Sequence, residues 1–309
     1  MNNANDLNQQ KHISPKKGLI IVLCMPILGG LDYVFLEYIT STIDAISLAC
    51  IRTAIGAVFF LIAHHILVGR LHIDRKDLPR FLLAGGFGVG IYYVFEIIGI
   101  SMTSAALSSL LISIVPIFTI IGDRIFFGHK ITRLKAFGAI MSVIGVGIII
   151  AGSADREMSG TLLGILILLF AAVFWTVYIL ASKPLNDKYS PLTITTVLFV
   201  IGAIVLLPVF FLHKPQSILA LTPGNWLLIL LFTIVCIAIA DLLYMYGISS
   251  LPVVIPSIVV NLLPFVTIIV SWVVFHTMLG LLQLLGGLLI IASVIMTALD
   301  KSDRTDEGE

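Results

Sequence analysis

The chain has 309 residues, 59% of them apolar and 11% charged, with a net charge of +1 and a mean hydropathy of +1.12. An ordinary soluble domain carries roughly 25% charge, and a soluble protein of this size has no room to hide so many apolar side chains. The composition excludes a soluble enzyme, and the charge balance supplies no basic stripe for nucleic acid.

In chain order, the first element is a short polar tail, residues 1–17. Lys11 to Lys17 followed by Gly18-Leu19-Ile20-Ile21-Val22 has the look of a signal peptide. No small-x-small cleavage site precedes Asp32, so the run is read as a first, retained span. A spanning helix needs about 20 mostly apolar residues. Runs between polar, Pro or Gly breaks predict ten such helices, over 18–38, 46–68, 79–99, 103–122, 133–152, 160–181, 191–212, 225–247, 251–274 and 279–299. A second polar tail, 300–309, ends the chain. The fold class is therefore an all-α polytopic membrane protein of ten transmembrane helices, set in the lipid bilayer.

Ten spans put both termini on one side. Of the 18 basic residues, 15 fall in the tails and the segments 69–80, 123–135 and 182–190; Arg156 and Lys214 fall in the opposite set, and Arg52 lies inside span 2. By the positive-inside bias both termini are cytoplasmic. Cys24, Cys50 and Cys236 lie in apolar runs without metal-ligand spacing. Neither a metal nor a cofactor is expected.

Sliding the chain on itself by 148 positions gives a gap-free match with 12 identities in 48 positions. Gly99-Ile100-Ser101 falls on Gly247-Ile248-Ser249, Pro116 on Pro264, Thr119-Ile120-Ile121 on Thr267-Ile268-Ile269, and Gly138 on Gly286. Nearer the start, Ile55-Gly56-Ala57 falls on Ile201-Gly202-Ala203 at a shift of 146. Each half, 18–152 and 160–299, holds five spans, an odd number. The second half must therefore enter the membrane upside down, giving two inverted five-helix repeats, a signature of secondary transporters.

At this point the chain resembles the EamA-type members of the drug/metabolite transporter superfamily. The features that carry the resemblance are the short spans, the tandem repeat and the similar ending of each half, Pro116-Ile117-Phe118-Thr119 with Phe127-Gly128-His129-Lys130, and Pro264-Phe265-Val266-Thr267 with Phe275. Arg52 early in span 2 and Trp175 in the sixth span also match the family. It usually has a glutamate just after the fourth and ninth spans; here those places hold His129 and Thr277. The resemblance implies a carrier of the cytoplasmic membrane that exports amino acids, other small metabolites or drugs by alternating access. It also implies a small-molecule cavity lined by spans 1, 3, 4, 6, 8 and 9.

Four charged candidates stand out, Asp32, Arg52, Glu96 and Asp241; a charge at the bilayer centre costs about 2.5–3.5 kcal/mol without a partner or a wet cavity. Asp32 and Arg52 share a depth on consecutive antiparallel helices, so they are expected to pair. Glu96 has Tyr92 four residues earlier on its own face, and Asp241 has Tyr244 three residues on. The repeat shift also sets Tyr93 opposite Asp241. A carboxylate beside an aromatic ring suits an ammonium group, and either acid is a candidate for proton coupling. Trp175 and Tyr178, one turn apart, are expected to line the cavity. Pro116 and Pro264 remove a backbone donor inside spans 4 and 9. Ser113 and Asn261, each three residues upstream, are placed to satisfy the freed carbonyl or to face the pore. The alternatives are a passive channel, an intramembrane enzyme or a sensor without transport. The expected binding residues are thus Asp32, Tyr92, Glu96, Trp175, Tyr178, Asp241, Tyr244 and Asn261; Arg52, Ser113, Pro116 and Pro264 are structural or gating residues. Oligomeric state is left open.

Overall fold

The computed structural model describes residues 15–128, 131–152, 158–213, 217–250, 262–276 and 279–298. The described residues form helices and connections and contain no strand. The helices are α1 (Pro15–Ile39), α2 (Ala45–Leu67), α3 (Leu78–Met102), α4 (Ala105–Ile112), α5 (Val115–Phe127) and α6 (Arg133–Ala151). They continue with α7 (Met158–Ser182), α8 (Pro191–His213), α9 (Pro223–Phe232 continued by Thr233–Ile239 and Ala240–Ser250), α10 (Leu263–Phe275) and α11 (Leu281–Ala298). Among the described residues, six helical stretches are long and apolar enough to cross a membrane: Ala45–Leu67, Leu78–Met102, Ala105–Phe126, Thr161–Leu185, Pro191–His213 and Pro223–Gly247. The expected span over 251–274 begins outside the described residues, as do Pro252 and Pro256.

Local chemistry sets the helix ends. Asp44 accepts from the Ser47 amide at 2.8 Å and opens α2, Ser104 accepts from the Leu107 amide at 3.2 Å and opens α4, and Thr222 accepts from the Asn225 amide at 3.2 Å and opens α9. The Glu37 carboxylate also accepts from the Ala105 amide at 2.8 Å, which places a negative group at the positive end of α4.

The repeat is visible in the backbone. Val115–Phe127 and Leu263–Phe275 coincide at a shift of 148, as do the terminal α-helical segments Tyr92–Met102 and Ala240–Ser250. Ala45–Leu67 and Pro191–His213 coincide at 146. Pro116 and Pro264 both stand in the first turn of a helix, at a break, and not in a helix interior as the sequence suggested. There the missing N–H costs nothing, because a first-turn amide has no intrahelical partner. Gly128 and His276, again equivalent, both close their helices in the left-handed region, with φ of 78° and 54°. Glycine reaches that region freely and histidine does not.

α3 and α9 each contain a wide-turned π-helical stretch, Ala84–Ile91 and Thr233–Ile239, at equivalent places. Such turns are rare and cluster at functional sites.

The halves interlock. α1 packs on α9 and α10, and its counterpart α7 packs on α3 and α5; α2 packs on α8, and α6 on α11. At this last crossing, an added Cβ on Gly286 would lie 2.6 Å from the Gly145 carbonyl oxygen, and one on Gly145 would lie 2.7 Å from that of Gly286. Close backbone approach of this kind is how helices associate in lipid, where apolar burial gives no drive. Outside, large apolar side chains such as Ile66, Leu67, Phe126 and Leu212 are exposed, as a lipid-facing surface requires.

Polar contacts tie the halves together at both ends of α2, which is about 34 Å long. At one end the Asp77 carboxylate, 3% exposed, accepts from Lys188 Nζ at 2.9 and 3.1 Å and from the Tyr189 hydroxyl at 2.9 Å. That hydroxyl accepts in turn from the Asp74 amide at 3.1 Å. The hydrogen bonds from Lys188 and Tyr189 hold the Asp77 carboxyl below its ordinary value of 3.8, and burial raises the Tyr189 phenol. At the other end His213 Nε2 and Asp44 Oδ1 are 2.8 Å apart.

Two outcomes are expected. Gly286→Leu forces α6 and α11 apart and lowers stability by about 1–3 kcal/mol, read as a fall in the melting temperature in detergent. Because the Asp77 pKa is depressed on folding, its stabilisation is complete above the ordinary aspartate range and is lost as the pH falls through the folded value. Asp77→Asn should therefore melt earlier than wild type at pH 7, and the two curves should converge below pH 3.8.

Candidate functional site

The in-span charges converge in one buried network between the halves. Asp32 on α1 is 6% exposed and Arg52 on α2 is 1% exposed, and they form an ion pair through Asp32 Oδ1 and Arg52 Nη2. Arg52 Nε donates to Thr233 Oγ1 at 3.3 Å, and the Thr233 hydroxyl donates to the Ile229 carbonyl at 2.6 Å. Thr233 is the first residue of the π-helical stretch of α9. The guanidinium carbon stands 5.4 Å from the centre of the Phe35 ring, which stacks on Phe232 at 4.3 Å. One cation thus binds α1, α2 and α9, and the ring face lowers the cost of its burial.

Glu96 on α3 is 4% exposed, so it does not reach water at an interface. Its Oε1 accepts from the Tyr33 hydroxyl at 2.7 Å and also from the hydroxyl of Tyr92. The Tyr92 contact is the one the spacing of four residues indicated. Asp241 on α9 is 5% exposed and accepts through Oδ2 from the Tyr93 hydroxyl at 2.6 Å. The predicted neighbour Tyr244 is buried, and its ring lies 6.0 Å from that of Trp175. Tyr93 and Asp241 are repeat equivalents, so this bond joins matching points of the two halves.

Aromatic rings wall the network. Trp175 stacks on Tyr178 with centroids 4.5 Å apart and planes 15° from parallel, and lies 4.7 Å from Tyr92. Tyr92 and Tyr93 are 5.2 Å apart, and Tyr93 is 6.1 Å from Phe199. Gly88 admits this wall: a Cβ there would collide with Tyr178. The Tyr178 hydroxyl and Arg52 Nη1 have no hydrogen-bond partner among the described residues.

The sequence therefore located Asp32, Arg52, Tyr92, Glu96, Trp175, Tyr178, Asp241 and Tyr244, and the structure brings all eight into one region. Ser113 is buried and donates to the Ser109 carbonyl at 3.2 Å, within its own turn, and Pro116, in a first turn, leaves no intrahelical carbonyl for it to serve. Asn261 lies outside the described residues, as do His129 and Thr277. Three participants were missed as site residues. Tyr93 had a signal in the repeat shift. Tyr33 and Thr233 had none, since neither lies one helical turn from a charge whose partner it becomes.

Chemically, the network offers two carboxylates, Glu96 and Asp241, held by phenols and without an ion pair among the described residues, beside a slab of rings. Asp32 already has its cation. An all-helical, two-repeat membrane protein with a polar cluster buried between the repeats has the build of a solute carrier.

The comparisons agree. The EamA-like transporter family model matches residues 16–151 and again 162–299, and the chain belongs to that family. An uncharacterized transporter of Archaeoglobus fulgidus is 32% identical over 67% of this chain and 70% of its own length. The uncharacterized transporter YdfC of Bacillus subtilis is 29% identical over 82% of this chain and 81% of its own. A protein of Streptantibioticus cattleyicolor named "Probable terminal-alkyne amino-acid exporter" is 29% identical over 76% of this chain and 79% of its own. A solved crystal structure superposes with a TM-score of 0.65 at 17% identity, covering 93% of this chain and 98% of that one, and shares the fold.

Removing one partner of a buried ion pair costs about 3–5 kcal/mol, because the other charge is stranded. Arg52→Gln should therefore cut the yield of folded protein sharply, and Asp32→Asn with Arg52→Gln should recover most of it. Size-exclusion monodispersity and melting temperature in detergent check this.

Proposed function

We propose that the chain is a secondary transporter of the cytoplasmic membrane that exports small organic solutes bearing an ammonium group, amino acids among them, by alternating access. In this reading α4 and α5 are the two pieces of one broken span and the chain crosses the bilayer ten times. Residues 18–152 and 160–299 form inverted five-helix repeats, and the tails 1–17 and 300–309 are cytoplasmic.

The observation that carries the reading is the pair of buried acids, Glu96 and Asp241, one from each half, both bonded by tyrosines of the first half and flanked by Trp175. An ammonium group would replace hydration with carboxylate oxygens and ring faces. The basic bias of loops 69–80 and 182–190 supports a cytoplasmic face there, and the Asp77–Lys188 contact joins those two loops at one end of the bundle. The name of the Streptantibioticus relative supports export and an amino-acid class. Proton coupling would run through Asp241 or Glu96, each of which must be neutralised when no cation is present, since a bare buried carboxylate is costly. Rocking of the halves would alternately open the end held by Asp77 and Lys188 and the end held by Asp44 and His213.

The test is uptake into proteoliposomes of amino acids, purines and organic cations, with and without a pH gradient. Wild type should show saturable, gradient-driven flux of at least one ammonium-bearing solute. Asp241→Asn, which retains an acceptor for Tyr93, should lose at least about tenfold of it, as expected where a charge-assisted contact is removed. Flux that rises linearly with concentration would instead mark a passive channel.

A further inference from the structure

The loop between α2 and α3, residues 69–80, carries the cations Arg70, Arg75, Lys76 and Arg80 and the acids Asp74 and Asp77. Asp77 is buried and spent on Lys188 and Tyr189. Asp74 is exposed and lies 3.9 Å from His72. All four cations are exposed, and none is in an ion pair among the described residues; Arg80 acts on Asp77 only through its field. Cations of the neighbouring basic loops are already engaged: Lys188 on Asp77, and Arg124 on the Gly128 carbonyl.

The loop has a fixed tip. The Asp77 amide donates to the Asp74 carbonyl at 3.0 Å and closes a turn whose two central residues are Arg75 and Lys76. The second half of the chain pins both ends of that turn. The Asp74 amide donates to the Tyr189 hydroxyl at 3.1 Å, and the Asp77 carboxylate accepts from Lys188 and Tyr189 at 2.9 Å. Two adjacent cations are therefore exposed on a backbone that is already held. Apolar side chains bracket them: Leu67 at the end of α2 and Leu78 at the start of α3 are exposed, and so is Leu71, next to Arg70 within the loop.

We propose that this loop is a docking surface for anionic phospholipid headgroups of the leaflet it faces, with Arg75 and Lys76 gripping phosphate and Leu71 set among the upper acyl carbons. The occupant must present negative charge at the edge of a hydrocarbon layer, and an anionic lipid does both. A free anion would meet the cations and leave Leu71 in water. A zwitterionic headgroup brings its own cation, which the four basic side chains repel. Guanidinium groups suit the task because their fork matches phosphate oxygens. Such binding requires only that the bundle sits in a bilayer, and it is independent of the solute carried.

Purified full-length protein in a neutral maltoside detergent is titrated with dioctanoyl phosphatidylglycerol, dioctanoyl phosphatidylcholine and inorganic phosphate. Binding is read by thermal shift and by lipid adducts in native mass spectrometry. The test variant is Arg75→Gln with Lys76→Gln; Arg133→Gln with Lys135→Gln is the control on another basic loop. Each cation near an anionic headgroup is worth about fivefold in affinity.

In wild type, phosphatidylglycerol should bind at least about 25-fold more tightly than phosphatidylcholine. The test variant should lose about 25-fold of the phosphatidylglycerol affinity and keep that for phosphatidylcholine, and the control should change either by less than about threefold. Raising the salt from about 0.1 to about 1 M shortens the screening length from about 10 to about 3 Å. It should weaken phosphatidylglycerol binding to wild type, a readout that needs no substitution. Equal binding of the two lipids, a preference that survives in the test variant, an equal loss in the control, or indifference to salt overturns the proposal. Inorganic phosphate that matches phosphatidylglycerol in affinity also overturns it and marks a site for a free anion.

Discussion

A guanidinium held away from water constrains everything packed around it. The charge of Arg52 must be met inside the protein, and Asp32, Thr233 and the ring of Phe35 meet it from α1 and α9. The desolvation penalty of a buried pair can rival its attraction, which makes such a pair weak as a source of stability and strong as a device for fixing register. Here it fixes α1, α2 and α9 against one another. Tyr33 then follows Asp32 along α1 and is carried to Glu96, and Glu96 gathers Tyr92 from its own helix.

The duplicated architecture decides where that network can lie. Equivalent helices meet across the molecule, α2 on α8 and α6 on α11, and α1 and α7 each pack on the opposite half. The bond between Tyr93 and Asp241 joins positions separated by one repeat length. A polar residue near the meeting line of two equivalent halves is brought close to its own counterpart. One mutation there alters an interface that both halves share. The two π-helical stretches stand beside this line: one ends against Tyr92 and Tyr93, the other begins at Thr233 and ends before Asp241. Glycines make the first stretch feasible, because Gly85 and Gly90 let α8 approach and Gly88 admits Tyr178. The second has no glycine and relies instead on Thr233, whose hydroxyl bonds back to Ile229.

Legibility in the sequence followed interaction range. Charged residues within apolar runs are conspicuous because their insertion is costly, so Asp32, Arg52, Glu96 and Asp241 stood out at once. The Tyr92–Glu96 contact was readable because it lies within a single helix, where spacing fixes the neighbour. At Asp241 spacing was incomplete: Tyr244 shares its face, and the hydroxyl that bonds it comes from Tyr93 on α3. The Ser113 hydroxyl bonds within its own turn. The prolines were legible as backbone disturbances, but whether each bends a helix or begins one depends on how the preceding turn is packed.

The sequence by itself determined the membrane environment, the helical class, the twofold repetition and the buried charges. These depend on composition and on periodicity within one segment, and lipid leaves a spanning segment few other ways to satisfy its backbone. Only the tertiary structure decided which hydroxyl meets which acid, that Thr233 holds Arg52, and that the helices of α3 and α9 widen beside the site. Those outcomes rest on contacts between residues as much as 181 positions apart, where a difference of an ångström in helix packing decides which donor reaches which acceptor.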